Sequence, residues 1–238
     1  MTDTLVALRD VSFAYRPDRP VLAQCSFSLA RGERVGMIGR NGSGKTTLLA
    51  MVVGLLRPTA GQVEVFGRVR SNERDFCEVR ARAGLLFQDP DDQLFCPTVA
   101  EDVAFGPLNL GRPRQEVRRI VADTLHSLGL AGYEERITYQ LSGGEKRLVS
   151  LATVLAMQPE VLLLDEPTSG LDDQVAQRVT DILMGLPQAM VLVSHDRHFL
   201  GRAATRVLRL DGGRLSAISF QPSAISHQQS AIGFPQSS

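Results

Sequence analysis

One stretch of eight residues constrains this chain more than any other: Gly39-Arg40-Asn41-Gly42-Ser43-Gly44-Lys45-Thr46. It fits G-x-x-x-x-G-K-[ST], and its context agrees with the pattern. Residues 34–38 before it read as an apolar strand, and a helix is expected from 45 to about 56, stopped by Arg57-Pro58. Gly39, Gly42 and Gly44 let the backbone fold tightly enough for several N–H groups to face one anion. The helix that begins near Lys45 turns its positive dipole end to the same place. In such a loop Lys45 reaches the β- and γ-phosphates of a nucleoside triphosphate, and the Thr46 hydroxyl ligates Mg²⁺. Thr47 is placed to add a hydroxyl near the α-phosphate.

A second feature belongs with the first. Val161-Leu162-Leu163-Leu164 is a continuous apolar run, as expected of a parallel strand covered on both faces, and it ends in Asp165-Glu166. Two acids at a strand end are often nothing more than solvated surface. Open α/β sheets, however, bind ligands at the carboxyl ends of their strands, and this chain also carries a phosphate loop. Asp165 is therefore expected to hold Mg²⁺ through water, and Glu166 to polarise a water attacking the γ-phosphate as general base.

Elsewhere the chain alternates. Short strands are expected at 5–8, 11–15, 25–29, 62–66, 84–87 and 189–193, with a hairpin around Gly212-Gly213. Pro113 suits the first turn of a helix whose apolar face is Val117, Ile120, Val121, Leu125 and Leu128. Leu148, Leu151, Ala152 and Leu155 mark a second helix over about 143–157, and another is expected at about 173–184. The segment from about 89 to 157 thus reads as a mostly helical interruption of an α/β pattern. After about residue 216, Ser-Ala-Ile recurs at 216, 223 and 230, with Pro222 and Pro235 opposing a coiled coil. Residues 216–238 read as a flexible Ser/Gln-rich tail.

Bulk composition narrows the function classes. The 238 residues are 43% apolar, enough for one domain or one domain with a subdomain. Lys+Arg is 26 and Asp+Glu is 26, so the basic footprint of a nucleic-acid binder is missing. Arg68, Arg70, Arg74, Arg80 and Arg82 bunch locally and read as solvated surface. Cys25, Cys77 and Cys96 form no CxxC, which fits a reducing compartment. No signal peptide is read at the N-terminus. The apolar runs are strand-length, against the roughly 20 residues needed to cross a bilayer. A membrane process would need another chain for its membrane part.

Leu141-Ser142-Gly143-Gly144-Glu145 is a capped helix N-terminus, with Ser142 as cap and Glu145 three residues on. It also resembles the signature motif of ABC ATPases. Other elements of that family match in order: Tyr15 resembles the aromatic residue that stacks on adenine, and Gln88 the Q-loop glutamine that touches Mg²⁺. Ser169-Gly170-Leu171-Asp172 resembles the D-loop and His195 the switch histidine at the γ-phosphate. The resemblance covers about residues 3–215. It implies an α/β P-loop NTPase core with a mostly parallel sheet, an N-terminal antiparallel β subdomain and an inserted helical subdomain over about 89–157. The stretch 87–107, from Phe87-Gln88-Asp89-Pro90 to Ala104-Phe105-Gly106-Pro107, is similar to the energy-coupling-factor group of importers. Glu145-Lys146-Arg147-Leu148 departs from the commoner signature, which has Gln first and Arg at the position of Leu148.

The resemblance implies an ATPase with ATP and Mg²⁺ as cofactors. Tyr15, Gly39 to Thr47, Ser142, Gly143, Gly144, Glu145 and Asp172 are expected at the nucleotide; Thr46, Gln88 and Asp165 at the metal; and Glu166, His195 and Gln88 in catalysis. It implies a homodimer, or a heterodimer with a paralogous ATPase, in which each ATP lies between the loop of one chain and Ser142–Glu145 of the other. It further implies an integral-membrane coupling protein, a substrate-binding membrane subunit, no nucleic acid, and a peripheral place on the cytoplasmic face of the inner membrane. Cobalt or nickel is the expected cargo and a vitamin the alternative. A soluble ABC ATPase acting on DNA or ribosomes, and a small P-loop kinase, are the rival classes. The first usually carries two ATPase units, long insertions or basic arms, and the second has no need of 141–145, Asp172 or His195.

Overall fold

A computed structural model describes residues 3–218. Two sheets organise the chain. Strands β1 (Thr4–Arg16), β2 (Arg19–Ala30), β4 (Ala60–Val65) and β5 (Arg68–Val69) form an antiparallel sheet in the order β2-β1-β4-β5. Strands β3 (Arg34–Ile38), β6 (Ala83–Leu86), β7 (Val161–Asp165), β8 (Ala189–Val193), β9 (Arg206–Asp211) and β10 (Arg214–Ile218) form the second, in the order β10-β9-β3-β8-β7-β6. It is parallel throughout except for β10, which closes a hairpin on β9.

The strand period of two divides the interior. Leu162 and Leu164 of β7, with Met190 and Leu192 of β8, enter one core. Val161, Leu163, Val191 and Val193 enter the other. This is why both strands read as unbroken apolar runs. The second core lies between the two sheets and holds helix α1 (Lys45–Val52). The first is shared with α3 (Val99–Asn109), α4 (Arg114–Ser127), α5 (Gly143–Leu155), α6 (Asp173–Gly185) and α7 (Arg197–Ala203). Helices α3 to α5 are the expected helical segment. Among the described residues, no helix is long and apolar enough to cross a membrane.

Several expectations are corrected. Helix α1 stops at Val52 rather than about 56, because Gly54 turns the chain at φ 74° and a Cβ there would strike the Phe76 ring at 2.1 Å. The strands expected at 5–8 and 11–15 are one strand, with a bulge where Asp10 adopts φ 51° and its N–H bonds to Ser26 Oγ. Pro113 caps α4 one position before its first turn. The arginine-rich stretch includes an unforeseen helix, α2 (Glu73–Arg82), begun by an Asn72/Asp75 capping box. Within that stretch Arg70 is buried, not solvated: it donates to the Val65 carbonyl at 3.0 Å and to Glu78 at 2.7 Å. Helix α7 was also unforeseen. Strand β10 takes in the first Ser-Ala-Ile, residues 216–218, so the folded unit runs past 215. The later repeats lie outside the described residues.

Candidate active site

Strands β3, β8, β7 and β6 are neighbours and parallel, so their carboxyl ends share one edge. The phosphate loop leaves β3, His195 follows β8, Asp165 and Glu166 end β7, and Gln88 follows β6. Residues spread over some 150 positions thereby meet around one cleft of about 590 Å³. Tyr15, Asn41, Gly42, Gly44 to Thr47, Gln88, Asp165, Glu166 and His195 line it.

The loop is shaped by its glycines. Gly44 caps α1 at φ 103°, a conformation that side chains resist. A Cβ on Gly39 would lie 2.4 Å from the Leu210 carbonyl oxygen, so only glycine lets the loop seat against β9. Lys45 is buried and its ammonium donates to the Gly39 and Arg40 carbonyls at 2.8 and 3.2 Å. Burial pulls its pKa down, while Glu166 and Asp165 pull it up. Tyr15 is 63% exposed, braced edge-on by Phe13, and its hydroxyl lies 3.1 Å from Thr47 Oγ1.

The acids are held differently. Asp165 accepts from Thr46 Oγ1 at 2.5 Å, and burial raises its pKa against the pull of Thr46 and Lys45. Glu166 has left-handed backbone at φ 48°, unusual for a side-chain-bearing residue and a mark of strained functional turns. Its Oε2 accepts from the His195 backbone N–H at 3.3 Å, and its Oε1 lies 3.4 Å from His195 Nε2. That Oε1 is buried without a hydrogen bond.

The donor set suits a hard cation. Thr46 and Asp165 offer oxygen ligands in contact with each other, and the Gln88 amide lines the same cleft. Among the described residues no group of three or more His, Cys, Asp or Glu could cage a metal.

Residues 141–145 take no part in this cleft. Ser142 caps α5 in a full capping box with Glu145, whose carboxylate also accepts from Tyr133 at 2.8 Å and Arg136 at 3.1 Å. Glu145 is thus turned back into its own subdomain. The amides of Gly143 and Gly144, first in the helix, have no intrahelical acceptor. Gly143 lines a neighbouring cleft of about 360 Å³ with Gln88, Arg147 and Ser169.

Comparison with known proteins gives the family. Residues 22–169 match the ABC transporter family model. The chain is 46% identical, over 90% of its own length and 70% of the other's, to the energy-coupling factor transporter ATP-binding protein EcfA of Methanothermobacter thermautotrophicus. The chain is an ABC ATPase of the energy-coupling-factor type. Its fold is similar to that of CbiO1 from Clostridium perfringens, described as part of the ABC transporter complex CbiONQ (30% identity, TM-score 0.81, covering 90% and 87% of the two chains). It is also similar to an ATP-binding cassette solved as a dimer in a post-hydrolysis state with ADP and phosphate (25% identity, TM-score 0.82, covering 90% and 98%).

Within this ABC ATPase the expected residues divide into groups. Gly39 and Arg40 face an adjoining cleft with Arg197 and Arg209, and the Ser43 hydroxyl is buried without a partner. Asp172 caps α6, accepting from the Val175 N–H at 2.9 Å. Sequence reasoning missed Ser169 and Val21 as lining residues of the main cleft. It also passed over Arg147, which it met only within a departure from the family pattern. The available signal was an arginine adjoining the apolar face of α5.

Proposed function

We propose that this ABC ATPase binds Mg·ATP in the Lys45–Asp165 cleft of one copy, closed by the Ser142–Gly144 helix end of a second copy, and powers import through membrane subunits. The single observation that carries this reading is the separation of two half-sites. The phosphate loop and acids line one cleft, and Gly143, at the start of the signature helix, lines another. One molecule therefore holds both halves of a phosphate cage but does not close it on itself. A second copy completes it.

Catalysis is then positioning and charge. Thr46, Asp165 and Gln88 would hold Mg²⁺, which neutralises charge on the phosphates when bound. Lys45 holds the γ-phosphate. Glu166 accepts the proton of the attacking water, whose oxygen bonds to the γ-phosphorus as the bond to the ADP oxygen breaks. His195, packed on Glu166, orients that carboxylate.

The membrane partner has a candidate seat. Phe95 and Phe105, 65% and 47% exposed, meet edge to face at 4.8 Å beside a groove of about 550 Å³. Leu55, Leu110 and Met157 add to its apolar wall. Exposed apolar surface of this kind marks an interaction site, and its two exposed phenylalanines fall within 87–107, the segment similar to the importer group. The protein would sit peripherally on the cytoplasmic face of the membrane.

Cobalt or nickel is the cargo we favour, on the resemblance of residues 89–107 to the energy-coupling-factor importers and the short length of the chain. A vitamin is the second reading, since the energy-coupling-factor group serves both. The test is uptake by vesicles holding this protein with its membrane subunits. ATP-dependent accumulation of radioactive Co²⁺ or Ni²⁺ is expected. Vitamin uptake instead would replace the cargo, and an ATPase that joins no membrane subunit would sink the transport reading.

A further inference from the structure

Gln88 lies in a loop that is fastened to helix α5 rather than to the strand it follows. Arg147, 2% exposed, donates from Nη1 to the Phe87 carbonyl at 2.7 Å and from Nη2 to the Gln88 carbonyl. The Phe87 N–H bonds to Gln93 Oε1 at 3.2 Å, and Gln93 Nε2 returns to the Ser150 carbonyl and Thr153 Oγ1 of α5 at 3.0 and 2.8 Å. Lys146 pairs with Asp91 at 2.6 Å. All three ties run to α5, whose first residues are Gly143 and Gly144.

Of these ties, Arg147 is the one that grips the peptide groups on either side of the Gln88 Cα. A guanidinium is a planar fork, so two hydrogen bonds to consecutive carbonyls set the direction of the chain as well as its distance. Its Nε is buried without a partner. The two loop carbonyls are the hydrogen-bond partners of the charge, which Asp89 and Asp165 also favour, and moving α5 without the loop would take it from those carbonyls and from Asp89 in a low-dielectric setting. Arg147 stands four residues beyond Gly143, about 6 Å along the helix axis. A pull on the helix end reaches the loop through one turn of rigid helix.

We infer that Arg147 is a positioning residue that couples the two ATP sites: the ATP capped by α5 in one half of the dimer sets, through Arg147, the placement of Gln88 in the other. The inference rests on the two-copy reading above and adds the residue that joins its halves. Gln88 is the group that meets substrate or metal, and Arg147 acts through it.

The test uses dimers assembled from two differently tagged copies. One copy carries Glu166→Gln, leaving one live site, made of the other copy's loop, acids and Gln88 and of the first copy's signature helix. Arg147→Gln is then placed in either copy, and single-turnover hydrolysis of Mg·ATP is measured. Misplacing a catalytic group by about 1 Å costs on the order of a hundredfold, so each placement should slow the live site at least about tenfold. In the Glu166→Gln copy it disturbs the cap, and in the live copy it disturbs Gln88. Fluorescent ATP binding to the separate variant chain, and its melting temperature, should stay near wild type. Slowing from one placement alone overturns the coupling. Loss of nucleotide binding and melting temperature together would reduce Arg147 to packing. If Arg147→Gln does not fold, Arg147→Lys keeps the charge with a single-point donor and is read the same way. Unmodified protein that forms no ATP-dependent dimer would instead sink the two-copy reading itself.

Discussion

Thr46 and Asp165, 119 positions apart, meet through a hydroxyl-to-carboxylate hydrogen bond of 2.5 Å. One lies in the first turn of the helix after the phosphate loop and the other ends the neighbouring apolar strand but one, so the contact exists only once β3, β8 and β7 have paired. It holds together the two oxygens proposed to face Mg²⁺.

That carboxylate carries a cost. Burial holds the pKa of Asp165 above the usual carboxylate range. A carboxyl whose pKa is higher folded than unfolded favours the native state in its protonated form, at low pH, and loses that contribution as pH rises through the folded value. At neutral pH, Asp165→Asn should therefore raise the melting temperature of the nucleotide-free protein, by about 2–4 °C per kcal/mol relieved. The gap to wild type should narrow as pH falls through the carboxyl's own titration. Mg²⁺-dependent ATPase should drop at least about a hundredfold. Melting curves across a pH series check the first claim, and a lower melting temperature for the variant would contradict it.

Lys45 is buried with its ammonium on the Gly39 and Arg40 carbonyls and 3.5 Å from His195 Nε2, and among the described residues no carboxylate forms an ion pair with it, so its charge is available to phosphate. Charge-assisted hydrogen bonds contribute about 1.5–3 kcal/mol. Lys45→Ala should weaken ATP binding by about 10- to 100-fold, measured by titration calorimetry, and abolish turnover.

Glu166→Gln keeps the shape and hydrogen-bonding oxygen of the side chain but loses the base. General base catalysis contributes about 10²–10⁴-fold, and turnover should fall by that much while ATP still binds. With Mg·ATP the variant should elute as a dimer in size-exclusion chromatography. A monomeric, fully active variant would refute both the role of Glu166 and the sandwich.

Ser142→Ala separates cap from catalysis. Loss of an N-cap costs about 1 kcal/mol, and the Glu145 carboxylate keeps its bonds to Tyr133 and Arg136. The melting temperature should fall by only a few degrees, while ATPase falls far more, because the helix end would no longer be formed to receive phosphate. Equal losses in both measurements would leave Ser142 as a cap and nothing else.

Phe95 and Phe105 meet edge to face in the lining of the apolar groove. Phe105→Ser should leave ATP affinity unchanged and abolish co-purification with the membrane subunits, scored by pull-down from detergent extracts. Retained co-purification would move the docking seat elsewhere.

Chemistry written in contiguous residues was legible before folding. The loop 39–46, the Asp-Glu pair closing an apolar run and the Ser142/Glu145 box each carry their own geometry, because glycine conformations, strand alternation and capping act over a few residues. What only tertiary structure decided are contacts between distant segments. Gly54 ends α1 because Phe76 occupies the space behind it, and Arg70 is buried because Val65 and Glu78 fold over it. Glu145 turns from the ligand side because Tyr133 and Arg136 claim its carboxylate. Arg147 grips Phe87 and Gln88 because α5 lies across the end of β6. Local pattern does not encode these choices: a side chain's partner depends on which elements are stacked beside it, and that is set by burying the two cores together.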